Sequence, residues 1–177
     1  RLFFGELVDK DLPARNLIDS DFTFLNRRLA RHYGIAGVED EKFRRVTLGK
    51  DSLRGGLMTQ ASVLKITANG TVTSPVTRGA WGLSTLLGAP PSSPPPDIGS
   101  IGPATRGTTT IRETRDKHRN LESCAVCHRS IAPPGFALEG FDPIGGYRKR
   151  YRSTDKGDHS GHRIRGRFVF EYKLARK

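Results

Sequence analysis

The first part of the chain mixes apolar and polar residues with the period of amphipathic helices. Between residues 1 and 33 apolar side chains recur at intervals near three and four, and Pro13 separates an opening stretch from a second one. In the second stretch Leu25 and Leu29 share one face, with arginines on the other faces. The pattern predicts two short helices, of which the second packs against a core.

Capping residues give the bounds of the second helix. We predict it over Phe24–Tyr33, with Asp21 or Thr23 as its N-cap and Gly34 as its C-terminal stop. After it, Phe43–Leu48 has the composition of a short strand or a loop edge.

Helical spacing returns in three later stretches, Leu57–Thr67, Val76–Leu87 and Ile111–Leu121. Between the last two, Ala89–Pro96 is rich in proline, which fixes φ and favours an extended polyproline connector. The chain holds 20 glycines and 11 prolines in 177 residues, so long connections are expected. The predicted fold class is mainly α, loop-rich and helical, with a proline-rich connector.

Both cysteines of the chain lie in one short string, Cys124-Ala125-Val126-Cys127-His128. C-x-x-C-H is the attachment signature of c-type haem. Two thiols three positions apart on a helical turn can each reach one vinyl group of the porphyrin, while the adjacent imidazole lies under the iron as its proximal ligand. The string predicts one covalently attached haem c, held by Cys124, Cys127 and His128.

Apolar residues follow the motif and suit one face of a haem. We predict that Ile131–Leu138 forms a proline-containing loop and that Pro134, Phe136 and Leu138 line the cofactor.

Three other interpretations of the two cysteines remain open. A disulfide between Cys124 and Cys127 would close a very small loop and stabilise little. A thioredoxin-like redox pair needs a βαβ context, which the pattern does not show. A zinc site that uses His128 and a distant histidine is geometrically awkward, because His128 directly follows Cys127.

His118 and Met58 are the first candidates for the distal iron ligand. His118 precedes the motif in a charged helical stretch, and Met58 is the only methionine of the chain. A core side chain is the ordinary role for Met58, and a solvated histidine the ordinary role for His118. An open sixth position would move the function toward peroxide chemistry or small-ligand binding. The other candidates are lysine and His32, His159 and His162.

Charge and hydropathy indicate which kinds of partner the chain can bind. The formal net charge is +12, and the excess is concentrated after residue 147. We expect a solvated, partly disordered basic tail and no nucleic-acid binding. No apolar run approaches the roughly 20 residues that span a bilayer, so no transmembrane segment is expected.

These features divide the chain into four segments. They are a helical segment 1–88, a proline- and glycine-rich connector 89–110, a haem-attachment segment 111–152 that packs on 1–88 as one domain, and the basic tail 153–177.

Several blocks of the sequence resemble the C-terminal region of large planctomycete-type cytochrome c domain-containing proteins. The blocks are Asp21–Ile35, Arg54–Leu64, Thr73–Gly79, Cys124–His128 and Pro134–Gly145. The resemblance implies a domain of unknown function within a long exported protein, periplasmic or otherwise outside the cytoplasm, whose export signal would lie upstream. It also implies that leucine commonly occupies the position of Met58, which favours His118 as distal ligand. The chain departs from the family pattern after Arg152.

Together these observations predict a monohaem c-type cytochrome domain that transfers electrons to redox partner proteins or to other domains of the same parent protein. No conventional catalytic set is visible. The first alternative is a haem enzyme with an open sixth position, either peroxidase-like or the electron-accepting module of a dehydrogenase. The second is an interaction domain with a structural haem, whose basic tail docks on an anionic surface.

Overall fold

The computed structural model describes residues 1–70, 73–93 and 122–149, with the backbone alone for residues 122–127. The chain forms two compact units. Among the described residues, the first combines 1–70, 73 and 141–147, and the second combines 74–93, 122–140, 148 and 149. The predicted division into four segments, with 111–152 packed on 1–88, stays a prediction.

In the first unit the regular elements are α1 (Leu2–Asp9), a 3-10 turn (Ala14–Leu17), β1 (Phe22–Leu25), α2 (Arg27–Tyr33), β2 (Arg44–Thr47), a 3-10 turn (Leu57–Thr59) and α3 (Ala61–Ile66). In the second unit they are α4 (Pro75–Trp81), a π-helical turn (Gly82–Leu86) and α5 (Glu122–Ala137). Helices therefore dominate the described residues, beside one two-stranded sheet, and the predicted mainly α class is confirmed in part.

The sheet corrects the predicted start of the second helix. Phe22–Leu25 is a strand, paired antiparallel with β2 so that Phe22 lies opposite Thr47. The helix begins only at Arg27, where the side chain of Asn26 accepts a hydrogen bond from the backbone N–H of Leu29 at 3.0 Å. The predicted helix start at Phe24 and the caps Asp21 and Thr23 were wrong, because burial on both faces of the strand decided the local structure.

Those two faces hold the two core clusters of the first unit. Phe22 packs with Phe3 and Leu7 of α1, and its ring centroid lies 5.2 Å from that of Phe3. Three residues on, Leu25 points to the other face and packs with Ala30 and Val38. The strand Phe22–Leu25 therefore joins both clusters.

Most other predicted elements of the described chain are confirmed. Gly34 ends α2 in the left-handed conformation at φ 70°. Phe43–Leu48 contains β2, and Leu57–Thr67 contains a 3-10 turn and α3. The predicted helix Val76–Leu87 is α4 followed by the π-helical turn. Ala89–Ser93 has no helix or strand, while the predicted helix Ile111–Leu121 and tail 153–177 lie outside the described residues.

A buried arginine ties the segment Phe141–Tyr147 to the rest of the first unit. Arg54 is 8% exposed, and its guanidinium lies 3.5 Å from the ring centroid of Tyr33. It donates hydrogen bonds to the carbonyl oxygen of Thr59 at 2.9 Å and to that of Gly145. Burial lowers the pKa of Arg54 to about 10, so the group remains charged at neutral pH.

Tyr33, whose ring contacts the Arg54 guanidinium, is itself held by a hydrogen bond. Its hydroxyl oxygen accepts a hydrogen bond from the backbone N–H of Ala61 at 2.8 Å, and burial raises the pKa of its hydroxyl. The phenol therefore stays neutral beneath the guanidinium at physiological pH.

The exchange Arg54→Lys should lower the free energy of unfolding by about 2 kcal/mol, because an ammonium cannot reproduce the planar fork that reaches both carbonyls and the ring. Urea unfolding followed by circular dichroism would measure this loss. The same exchange at the exposed Arg28 is the control and should change stability by less than about 0.5 kcal/mol. Equal effects at both positions would contradict the role given to Arg54.

Candidate functional site

The C-x-x-C-H string lies on helix α5. Cys124, Cys127 and His128 occupy helical positions i, i+3 and i+4, which share one face of a helix. The side chain of His128 is half-buried, whereas those of Cys124 and Cys127 lie outside the described residues, as does His118. The backbone thus places the three predicted attachment residues together on one helical turn.

Helix α5 continues through the segment that we predicted as a loop. Pro133 and Pro134 are inside the helix, which ends at Ala137. The prediction of a loop over Ile131–Leu138 was wrong, although proline inside a helix removes a hydrogen bond and clashes with the preceding turn. The compensation is tertiary packing, since Ile131 and Ala132 are 7% and 4% exposed while Pro133 is exposed.

The packing partner of α5 is α4. Ser74 accepts a hydrogen bond from the backbone N–H of Thr77 at 3.4 Å and Pro75 opens the helix, so α4 begins with a favourable cap and first turn. Of the element pairs in the described chain, α4 and α5 make the most extensive contact.

Two glycines bring α4 and α5 into backbone contact. A Cβ atom at Gly79 would overlap the carbonyl oxygen of Ile131 and lie 3.0 Å from its carbonyl carbon. A Cβ atom at Gly135 would overlap the carbonyl oxygen of Pro75. No residue with a side chain fits at either position unless a helix backbone moves.

A buried cation lies at the other end of the same contact. Arg78 of α4 is 0% exposed, and its Nη1 donates to the carbonyl oxygen of Leu138 at 2.9 Å, just beyond the last turn of α5. A positive charge there satisfies a terminal carbonyl and complements the negative end of the helix dipole. Arg78 therefore helps to end α5.

The predicted haem-lining residues are spread around α5. Pro134 and Phe136 are half-buried and two positions apart, which is about 200° around a helix, so they do not share a face. Leu138 is 1% exposed and follows the helix. Their contact with a haem stays a prediction.

Met58, the runner-up distal ligand, belongs to the first unit. It is 4% exposed in the 3-10 turn Leu57–Thr59. His32, another candidate, is also in the first unit, where its Nε2 lies 2.8 Å from the carbonyl oxygen of Ile144. The roles of Met58 and His32 as iron ligands stay predictions.

The residues on α5 have a spacing that fits a c-type haem, and the half-burial of His128 fits the role predicted for it. Within the described part of the chain, no group of three or more histidine, cysteine, aspartate or glutamate side chains could hold a metal ion. Haem c requires no such group, since two thiols bind the porphyrin and one imidazole binds the iron. The donor set and its position on a helical turn therefore suit haem.

The glycine contact was missed by the sequence reasoning. Gly79 lies within the predicted helix Val76–Leu87, but its partner Gly135 lies within the predicted loop Ile131–Leu138. A glycine inside a helical pattern often marks a close approach of another backbone, and this was the available signal.

Two family models match the chain. Residues 54–151 match the model PSCyt3, described as a protein of unknown function (DUF1588), and residues 1–35 match PSD4, a protein of unknown function (DUF1592). Domains of both kinds are found in planctomycete-type cytochrome c proteins. No curated protein and no solved structure matches the chain significantly. Among the described residues, none of the helices has the length and apolar composition that crossing a bilayer requires.

The exchange Gly135→Ala should destabilise the protein by about 1–3 kcal/mol, because the added methyl group forces the backbones of α4 and α5 apart. Gly5→Ala is the matched control, since Gly5 lies in α1 and its Cβ would approach Asp9 no closer than 3.9 Å. Alanine favours a helix over glycine, so the control should gain up to about 1 kcal/mol. Chemical unfolding of both variants would test the opposite signs, and a stabilising Gly135→Ala would contradict the contact.

Proposed function

Because the chain belongs to the PSCyt3 family of proteins of unknown function (DUF1588), we propose that it is a c-type cytochrome domain that binds one haem covalently and transfers single electrons. The observation that supports this most is the placement of Cys124, Cys127 and His128 on one face of α5. The occurrence of the family in planctomycete-type cytochrome c proteins agrees with it.

The two thiols would hold the porphyrin by thioether bonds. Each S–H would add across one vinyl C=C bond, so that sulfur would bond to one vinyl carbon and the hydrogen to the other. Nothing leaves, and no oxidant is consumed. The i, i+3 spacing on one helix lets both sulfurs approach the same porphyrin edge.

His128 would hold the iron through a ring nitrogen. Its position directly after Cys127 ties the imidazole to the attached porphyrin, and its half-burial limits competition from water. When bound, the haem supplies an iron that changes its charge by one electron. Buried apolar residues of α5, such as Ile131 and Ala132, would lower the dielectric near such a haem, which would disfavour the more highly charged oxidised state and raise the reduction potential.

We propose that the domain is part of a larger exported protein. It would transfer electrons to redox partner proteins or to other domains of that protein. The family match supports a role as one module of a cytochrome c-related parent. An exported location agrees with the chemistry, since C-x-x-C-H attachment is a property of c-type cytochromes.

Production of the full chain with a c-type maturation system should give one haem that stays attached after denaturation. The double variant Cys124→Ala/Cys127→Ala should lose the covalent haem, because no thiol remains in the chain. Mass spectrometry and the reduced visible spectrum are the measurements. A wild-type chain without a covalent haem would overturn the proposal.

The distal ligand can be tested with the same material. We expect His118→Ala to convert a low-spin ferric spectrum to a high-spin one, while Met58→Leu leaves the spectrum unchanged, because imidazole would be the sixth ligand. Loss of the low-spin spectrum in Met58→Leu would assign the ligand to Met58 instead. A high-spin wild-type spectrum that responds to cyanide would favour the haem-enzyme alternative.

A further inference from the structure

The close approaches between α4 and α5 fix how their residues pair. Pro75 lies opposite Gly135, and Gly79 lies opposite Ile131. Residue numbers increase along α4 while those of the opposed residues decrease along α5, so the two helices are antiparallel. The two contacts are four residues apart on each helix, which is about one turn, so the register is regular.

The same register continues toward the beginning of α5. Gly82 lies three residues, about one turn, after Gly79. His128 lies three residues before Ile131. The turn Gly82–Leu86 contacts α5. Gly82 is buried and His128 is half-buried, as expected for residues that face each other across a contact.

The backbone changes type at this point. The N–H of Leu87 donates to the carbonyl oxygen of Gly82 at 3.3 Å, a bond between residues five apart, which widens the turn. Such π-helical turns are rare and are frequent at functional sites. Gly82 itself has φ −60° and ψ −46°, a conformation open to any amino acid. Backbone conformation therefore does not explain a glycine at this position.

The geometry points to Gly82 as a positioning residue for His128. The missing side chain would leave room beside the π-helical turn for the imidazole to lie against the backbone in one orientation. Gly79 and Gly135 hold the register that aligns the two residues. This inference rests on the proposed function, because the orientation of the imidazole matters through the iron that it would bind.

The orientation of an axial imidazole affects its bond to the metal and hence the reduction potential. A methyl group at position 82 would press on the ring without changing the thiols that attach the porphyrin. Attachment and iron ligation should therefore respond differently to substitution at Gly82. A purely structural role would leave both unchanged in the folded protein.

The test compares Gly82→Ala with Ser84→Ala in the full chain carrying haem. Ser84 is exposed on the same turn, so it is a matched control. Gly82→Ala should retain the wild-type fold by circular dichroism and one covalent haem per chain, but shift the midpoint potential and the visible spectrum. Ser84→Ala should match the wild type in all four measurements.

Two outcomes would overturn the inference separately from the proposed function. One is a wild-type chain with attached haem in which Gly82→Ala leaves potential and spectrum unchanged. The other needs no variant: nuclear Overhauser contacts between Gly82 Hα and the ring protons of His128 are expected in the wild-type chain, and their absence would refute the register. A wild-type chain that attaches no haem would overturn both proposals.

Discussion

The backbone contact between α4 and α5 is the constraint from which the geometry of the candidate site follows. It exists because Gly79 and Gly135 have no side chains, and each is opposed by a carbonyl group of the other helix. Dispersion and burial along this contact offset the hydrogen bonds that Pro133 and Pro134 remove from α5. The turn that carries Cys124, Cys127 and His128 belongs to this same helix, so its position follows from the contact.

In each of the two units a buried arginine donates hydrogen bonds to backbone carbonyl groups. Arg54 satisfies the carbonyls of Thr59 and Gly145 in the first unit, and Arg78 satisfies that of Leu138 in the second. Each guanidinium therefore joins stretches far apart in sequence through backbone oxygens. A planar group with five donors is suited to this task, and its burial costs less when carbonyls and aromatic rings replace water.

The proposed function depends on a motif and on a family, and each contributes something different. The C-x-x-C-H string is the basis for proposing haem attachment, since its two thiols and its imidazole are the groups that a c-type haem requires. The family match over residues 54–151 places that string in domains found in cytochrome c proteins. The helix adds the geometry, because it brings the three positions to one face.

The sequence by itself determined the attachment motif, helix α2 with its stop at Gly34, and most of the helical stretches. Each of these depends on neighbours within one or two turns, which the order of residues already specifies. Only the tertiary structure decided that Phe22–Leu25 is a strand and that α5 runs through two prolines. In both places contacts with distant residues outweigh local preference, as when Phe22 packs on α1 and Gly135 on α4. The register of α4 and α5 joins residues some fifty positions apart in sequence, and no local pattern contains that register.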